Sequence, residues 1–259
     1  MKELWFFVFY AVLIGLAEVV TSFVDPVYGL SFHAVLLVSL LALAALKYLE
    51  NPVSSLFLSL SLAPLVRIIS LSLPLAHFPR YAWYLLNGMA VFLATLALMR
   101  VLNLGFRDVG VTFKRPFVQL AVAATGLPLG VIEYFILKPE PLAPAFGLWE
   151  FVLLALAFVF FTGFVEELVF RGVIQWSAVG VLGWKAGVLG VCFVFAFLHI
   201  GWLSMLDFVF VFLIGLLFGF VMFKTGSIVG VSLSHGLTNV LLFLVLPSIN
   251  FISLFENTL

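Results

Sequence analysis

Charged residues are scarce in this chain of 259 residues. Only 9% of them are Asp, Glu, Lys or Arg, whereas a soluble globular domain carries about 25%. Apolar residues make up 65% of the sequence and the mean hydropathy is +1.30. Apolar runs near the length that crosses a bilayer, about 20 residues, recur from end to end. The composition excludes an ordinary soluble domain and predicts a multi-pass protein of the cell membrane, with the lipid bilayer as its solvent.

Cysteine and net charge are equally low. Cys192 is the single cysteine of the chain, so an internal disulfide is excluded and a cysteine-based metal cluster is disfavoured. The formal net charge is zero and the isoelectric point is near 6.9. No basic surface for a nucleic acid is therefore expected, and we predict no nucleic-acid partner.

The apolar runs predict an all-α fold with eight or nine transmembrane helices around a polar cavity in the middle of the membrane. Proline and charged residues separate the runs, as expected for connectors. We divide the chain into N-terminal helices with a basic loop (1–115), a core that carries the polar motifs (116–247) and a short tail (248–259). The predicted spans are about 4–24, 30–49, 53–74, 81–102, 116–137, 150–180, 185–202, 205–223 and 226–247.

Basic residues in the connectors predict the orientation, because Lys and Arg accumulate on the cytoplasmic side. With nine spans and a cytoplasmic N-terminus, Arg80 and Lys138 are the only basic residues in outer connectors. The inner connectors hold eight, which are Lys2, Lys47, Arg100, Arg107, Lys114, Arg115, Lys185 and Lys224. The count favours a cytoplasmic N-terminus.

The most unusual polar residues are Glu166, Glu167 and Arg171, which interrupt one of the most apolar runs. An ionised side chain at the centre of a bilayer costs roughly 2.5–3.5 kcal/mol on insertion scales, so each needs a partner. Glu167 and Arg171 are four residues apart and share a helical face, which favours a supporting ion pair. Glu166 points about 100° away from Glu167 and has to find a partner on another helix.

Two later spans carry polar groups that suit Glu166. His199 ends the segment that begins at Phe195, and His235 and Asn239 lie four residues apart on one face of the last span. At 1.5 Å per residue, the positions of these residues along their helices allow them to share a layer with Glu166 in the middle of the membrane.

A carboxylate, two imidazoles and an amide in a dry site favour hydrolysis of a carbonyl compound. The carboxylate suits a general base for water, histidine can assist that water, bind a metal or donate a hydrogen bond, and asparagine suits an oxyanion. A polypeptide is the obvious carbonyl substrate in a membrane. Two alternatives stay open on spacing alone. Each polar group can serve helix packing, or the set can form the proton-relay site of a proton-coupled transporter.

Other buried charges are assigned no chemistry. Glu18, Arg67 and Glu133 are expected to pair among themselves, and His33 is expected near a membrane interface because it lies close to a predicted span end. The zinc-binding H-E-x-x-H sequence is absent, as are the Gly-x-Ser-Gly and Gly-x-Gly-Asp sequences of serine and aspartyl intramembrane proteases.

In these motifs the sequence resembles the type II CAAX prenyl protease family, also known as CPBP or Abi-like membrane proteins. That family has Glu-Glu-x-x-x-Arg, Phe-x-x-x-His and His-x-x-x-Asn on separate helices. Here they stand as Glu166-Glu167-x-x-x-Arg171, Phe195-x-x-x-His199 and His235-x-x-x-Asn239. Residues 116–247 carry the resemblance, whereas the earlier spans match only as generic membrane helices.

The resemblance implies an intramembrane endopeptidase in which Glu166 and His199 activate the attacking water, while His235 and Asn239 stabilise the oxyanion. It implies a polypeptide substrate and leaves open whether its C-terminus is prenylated. Family members are described both as glutamate proteases and as metalloendopeptidases. A divalent metal such as zinc therefore stays open, with Glu166, His199 and His235 as ligands if one binds. Some relatives are linked to bacteriocin immunity, so a non-enzymatic immunity-type protein is a further alternative.

Overall fold

The computed structural model describes residues 2–46, 52–73, 75–142 and 147–248. Lys47, which entered the orientation count, lies outside the described residues. So does most of the predicted tail, 249–259.

Nine helices in the described part of the chain are long and apolar enough to cross a membrane, and strands are absent from it. The all-α membrane fold predicted from composition is confirmed, with nine spans rather than eight. In chain order, α1 to α9 are Lys2–Phe23, Pro26–Leu46, Pro52–Ser72, Arg80–Val101, Pro116–Leu137, Leu148–Leu182, Trp184–Trp202, Met205–Thr225 and Val229–Ser248. A short 3₁₀ turn, Leu75–His77, precedes α4.

Helix α6 is unusual in length and in hydrogen bonding. It has 35 residues, about 52 Å at 1.5 Å per residue, which exceeds the roughly 30 Å of a bilayer's hydrocarbon core. Two π-helical segments, Val159–Phe164 and Leu168–Ile174, lie on either side of Val165–Glu167. Such wide turns are rare and occur frequently at functional sites. Here they flank the two glutamates.

Helices α6 and α9 pack backbone against backbone at two glycines. A Cβ atom on Gly163 would lie 2.6 Å from the Ser232 carbonyl oxygen, and one on Gly236 would lie 2.6 Å from Val159 Cα. Neither position has room for a side chain. This close approach brings the polar residues of α9 within hydrogen-bonding reach of α6.

The N-terminal helices have a polar contact of their own. Glu18 on α1 and Arg67 on α3 form an ion pair of 2.8 Å, as predicted. His33 on α2 is buried and its Nε2 lies 3.3 Å from Glu18 Oε1, so it takes part in this polar contact inside the protein. Its expected place near a membrane interface stays a prediction. Glu133 on α5 does not join the pair and instead lines the central cavity.

Connectors that nine spans place on the same side of the membrane also contact one another. The backbone N–H of Ile228, between α8 and α9, donates to the Gly110 carbonyl at 2.8 Å. At the other end, Arg80 lies 3.4 Å from Glu140. These contacts are consistent with a nine-helix topology.

Candidate active site

The four residues predicted to carry the chemistry line one cavity. Glu166, His199, His235 and Asn239 come from α6, α7 and α9 and surround a space of about 680 Å³. Thr162, Thr238 and Glu133 add polar groups to a wall that is otherwise apolar and aromatic. The structure therefore brings together four predicted residues that lie up to 73 positions apart in the sequence.

The two neighbouring glutamates have different environments. The side chain of Glu166 is 35% exposed, whereas that of Glu167 is 0% exposed. Glu166 also lines a second cavity, of about 850 Å³, together with His199. The helical twist between adjacent residues thus places one acid in the cavity wall and the other in the protein interior.

Glu167 has two partners that share one oxygen. Its Oε1 lies 3.2 Å from a terminal guanidinium nitrogen of Arg171, one helical turn onward. The same atom lies 2.8 Å from Nδ1 of His235 on α9. Sequence reasoning paired Glu167 with Arg171 but missed its contact with His235.

The contact with Glu167 orients the His235 ring. A carboxylate only accepts hydrogen bonds, so Nδ1 of His235 carries the proton of this bond. The other nitrogen, Nε2, faces Glu166 at 3.8 Å from its Oε2. His235 therefore lies between the two glutamates and presents Nε2 to the acid in the cavity.

The His199 ring is oriented by the backbone of its own helix. Its Nδ1 lies 2.9 Å from the Phe195 carbonyl oxygen. Because a carbonyl also only accepts, Nδ1 is the protonated nitrogen and Nε2 has the free lone pair of the neutral ring. An imidazole in this tautomer can accept a hydrogen bond, or a proton, from a water molecule.

Asn239 is held by Thr162, which sequence reasoning missed. The Thr162 hydroxyl donates to the Phe158 carbonyl at 2.6 Å and accepts from Nδ2 of Asn239 at 2.9 Å. Its one proton is already used, so the Asn239 amide has to present its nitrogen to this oxygen. The second N–H of that amide group stays available. Thr162 lies one turn before Glu166, but threonines are common in membrane helices and gave no distinct signal.

Phe195 connects the Glu167–Arg171 pair to His199. The Arg171 guanidinium lies 4.1 Å from the centre of the Phe195 ring, a cation–π distance. Arg171 is 1% exposed, so the ring and Glu167 replace the water that this cation lacks. Phe195 thus packs on Arg171 with its ring and binds His199 with its carbonyl.

The chemistry of Glu166, His199 and His235 suits a divalent metal, but their geometry does not. In the described residues, no group of three His, Cys, Asp or Glu side chains converges closely enough to hold a metal ion. The predicted ligand set is therefore not assembled in this conformation, and we derive no catalytic step through a metal.

Fold and site together define a multi-pass membrane protein with a cavity that holds a carboxylate, two oriented imidazoles and an amide. Residues 148–241 match the family model described as type II CAAX prenyl endopeptidase, Rce1-like. The resemblance predicted from the motifs is confirmed over this segment. No curated protein and no solved structure matches the chain significantly.

Proposed function

We propose that the protein is an intramembrane endopeptidase that hydrolyses a peptide bond with water activated by Glu166 and His199. The observation that carries the proposal is the common cavity of Glu166, His199, His235 and Asn239. The hydrogen bonds around these groups support it, since each leaves a reactive atom available. These atoms are a partly exposed carboxylate, the Nε2 atoms of both histidines and one amide N–H.

In the proposed reaction, a water molecule donates hydrogen bonds to Glu166 and to Nε2 of His199. Its oxygen forms a bond to the carbonyl carbon of the substrate while Glu166 accepts a water proton. The carbonyl π electrons move to the oxygen and give a tetrahedral intermediate. Glu166 then returns the proton to the nitrogen of the breaking C–N bond, and a carboxylic acid and an amine leave, with the second water proton on the acid.

His235 and Asn239 would stabilise the oxyanion of that intermediate. Asn239 has one N–H left after its bond to Thr162. His235 has to carry protons on both nitrogens to donate through Nε2, because Nδ1 already donates to Glu167. Loss of a single oxyanion donor typically costs about 10²–10³ in kcat, so both residues are expected to matter for rate.

The substrate we propose is a membrane-associated polypeptide. A peptide chain has to extend on both sides of the bond that is cut, and two cavities meet at Glu166 and His199. Apart from Glu166 and His199, the second cavity is lined largely by apolar and aromatic side chains, with Arg67, Ser70, Asn87 and Thr162 as further polar groups. Such a lining suits a chain that is apolar or carries a prenyl group near its C-terminus.

We further propose that the protein lies in the cell membrane with its N-terminus in the cytoplasm. The basic residues of the described connectors support this orientation, and it places Arg80 and Glu140 at the outer face. Glu140→Cys reacting with a membrane-impermeant thiol reagent on intact cells is the expected result. Reaction only after the membrane is permeabilised would show the opposite orientation, with the N-terminus outside.

The function is tested by reconstituting the purified protein in lipid vesicles with matched prenylated and unmodified peptides. Mass spectrometry of the products should show a new C-terminus and a released fragment. Faster cleavage of the prenylated peptide would identify the prenyl group as part of the substrate. Proton or solute flux that requires Glu166, without peptide products, would instead support a transporter.

A further inference from the structure

The end of α7 lies next to a proposed catalytic residue. The regular α-helical part of α7 is Trp184–Phe197, and Leu198 is its C-cap residue. His199 follows directly and leads into a 3₁₀ turn, Ile200–Trp202. The last carbonyl groups of a helix have no partner within the helix, so the position of His199 depends on what binds them.

Arg67 supplies that partner from a distant helix. One of its terminal guanidinium nitrogens, Nη2, donates to the Leu198 carbonyl at 2.7 Å. Its Nε donates to Oε1 of Glu18 at 2.8 Å. The guanidinium therefore joins α1, α3 and the end of α7, although Arg67 and Leu198 are 131 residues apart in sequence.

The other end of this connection is fixed in the protein interior. Glu18 is fully buried, and Nε2 of His33 on α2 lies 3.3 Å from the carboxylate oxygen that Arg67 binds. The Arg67 guanidinium does not reorient easily, because moving it away would leave the Glu18 carboxylate buried without a partner of opposite charge. Three helices thus hold the guanidinium against the residue that precedes His199.

We infer that Arg67 is a positioning residue, which holds His199 at the distance from Glu166 that water activation requires. The inference rests on the proposed function in that it takes His199 to act on water. It goes further in assigning part of the site to Glu18 and Arg67, which lie outside the segment matched by the family model, 148–241. The N-terminal helices then contribute to catalysis and not only to membrane embedding.

Arginine suits this role better than lysine. Its planar group has several N–H donors in a fixed fork, so one side chain can bind a carboxylate and a carbonyl in two directions at once. A lysine keeps the charge that Glu18 needs but offers a single nitrogen. Arg67→Lys should therefore keep the fold and lose the hydrogen bond to Leu198.

The test compares Arg67→Lys and the double variant Glu18→Gln/Arg67→Met with Ser54→Ala. The double variant removes both members of the ion pair, so no unpaired charge is left in the interior. Ser54→Ala removes a buried hydrogen bond between α3 and α2, from Ser54 Oγ to the Ala44 carbonyl at 2.7 Å, without touching α7. Thermal unfolding in detergent confirms that each variant is folded.

Two readouts are measured on the folded protein. Both Arg67 variants should lower kcat roughly 10–100-fold, a typical cost when a group that orients a catalytic residue is lost, with KM within about threefold. Backbone amide hydrogen exchange in residues 195–204 should become faster in both. Ser54→Ala should change neither quantity by more than about threefold.

The outcomes separate this inference from the proposed function. Folded Arg67 variants with wild-type kcat and unchanged exchange in residues 195–204 would overturn the inference while peptidase activity stands. Faster exchange in the Arg67 variants, when the wild-type protein itself cleaves no peptide, would overturn the proposed function but leave Arg67 as the group that fixes the end of α7. A fall in kcat of equal size in Ser54→Ala would also overturn the inference, because it would show a general loss of packing.

Discussion

Glu167 Oε1 accepts a hydrogen bond from Nδ1 of His235 at 2.8 Å, across 68 residues of sequence. The bond determines which nitrogen of the imidazole faces the cavity, and Arg171 balances the charge of the same carboxylate. In our account Glu167 does not contact substrate. It orients the ring that does, in the way an aspartate orients the histidine of a hydrolytic triad.

The first prediction concerns Glu167→Gln. The amide keeps the shape of the side chain, but it has no charge to balance Arg171 and can turn its NH₂ group toward His235. We expect kcat to fall roughly 10–100-fold or more, measured on folded protein in vesicles. Glu150→Gln makes the same chemical change at the exposed start of α6, where Glu150 accepts from the Gly147 N–H, and should keep full activity. Equal activity in both variants would show that the reaction does not need the Glu167 carboxylate to orient His235.

The second prediction concerns the Thr162 hydroxyl. Thr162→Val has nearly the same volume but lacks the oxygen that binds Asn239 Nδ2, so the amide is free to flip. We expect kcat to fall roughly tenfold to hundredfold, less than the 10²–10³ of losing an oxyanion donor outright. Thr162→Ser keeps the hydroxyl and should retain most of the activity. Equal loss in both variants would show that packing, and not the hydrogen bond, is what matters.

The third prediction tests the contact between α6 and α9. Gly163→Ala places a methyl group against the Ser232 carbonyl and Gly236, so the two helices have to separate. Overpacking of this kind costs about 1–3 kcal/mol of stability, and the larger separation should also abolish cleavage. Gly180→Ala, on the same helix with nothing within 4 Å of the new Cβ, should match or slightly exceed wild-type stability. Thermal unfolding and activity of the two variants check this directly.

The fourth prediction concerns metal ions. Because no three candidate ligands converge in the described residues, activity should stay within about twofold of its starting value after treatment with a chelator. Elemental analysis of the purified protein should accompany the assay. Loss of activity on chelation, with recovery on adding zinc, would show that Glu166, His199 and His235 move together to bind a metal.

The sequence predicted the spans closely because apolar length and breaker residues are local signals. It also predicted the pair Glu167 and Arg171, since helical spacing alone places them on one face. The contact of Glu167 with His235 could not be predicted in the same way. It depends on the π-helical turns of α6 and on the close approach at Gly163, which are tertiary features.

The role inferred for Arg67 could not be predicted from the sequence for a similar reason. Its pairing with Glu18 follows from the cost of a charge in the membrane, but a bond to a backbone carbonyl 131 residues away leaves no pattern in the sequence. The contact of His33 with Glu18 was not predicted either, because it depends on the packing of α2 on α1. The sequence thus predicts that a charge inside the membrane has a polar partner, but it does not predict which residue that partner is.

The most direct test of the account is the rate of peptide cleavage by Glu166→Gln in lipid vesicles, beside wild-type protein and at equal folded concentration. Glutamine keeps the size of the side chain but cannot accept the proton of the attacking water. We expect kcat to fall by roughly 10²–10⁴-fold, the usual contribution of a general base, with an unchanged unfolding temperature. Cleavage by Glu166→Gln at the wild-type rate would contradict the account.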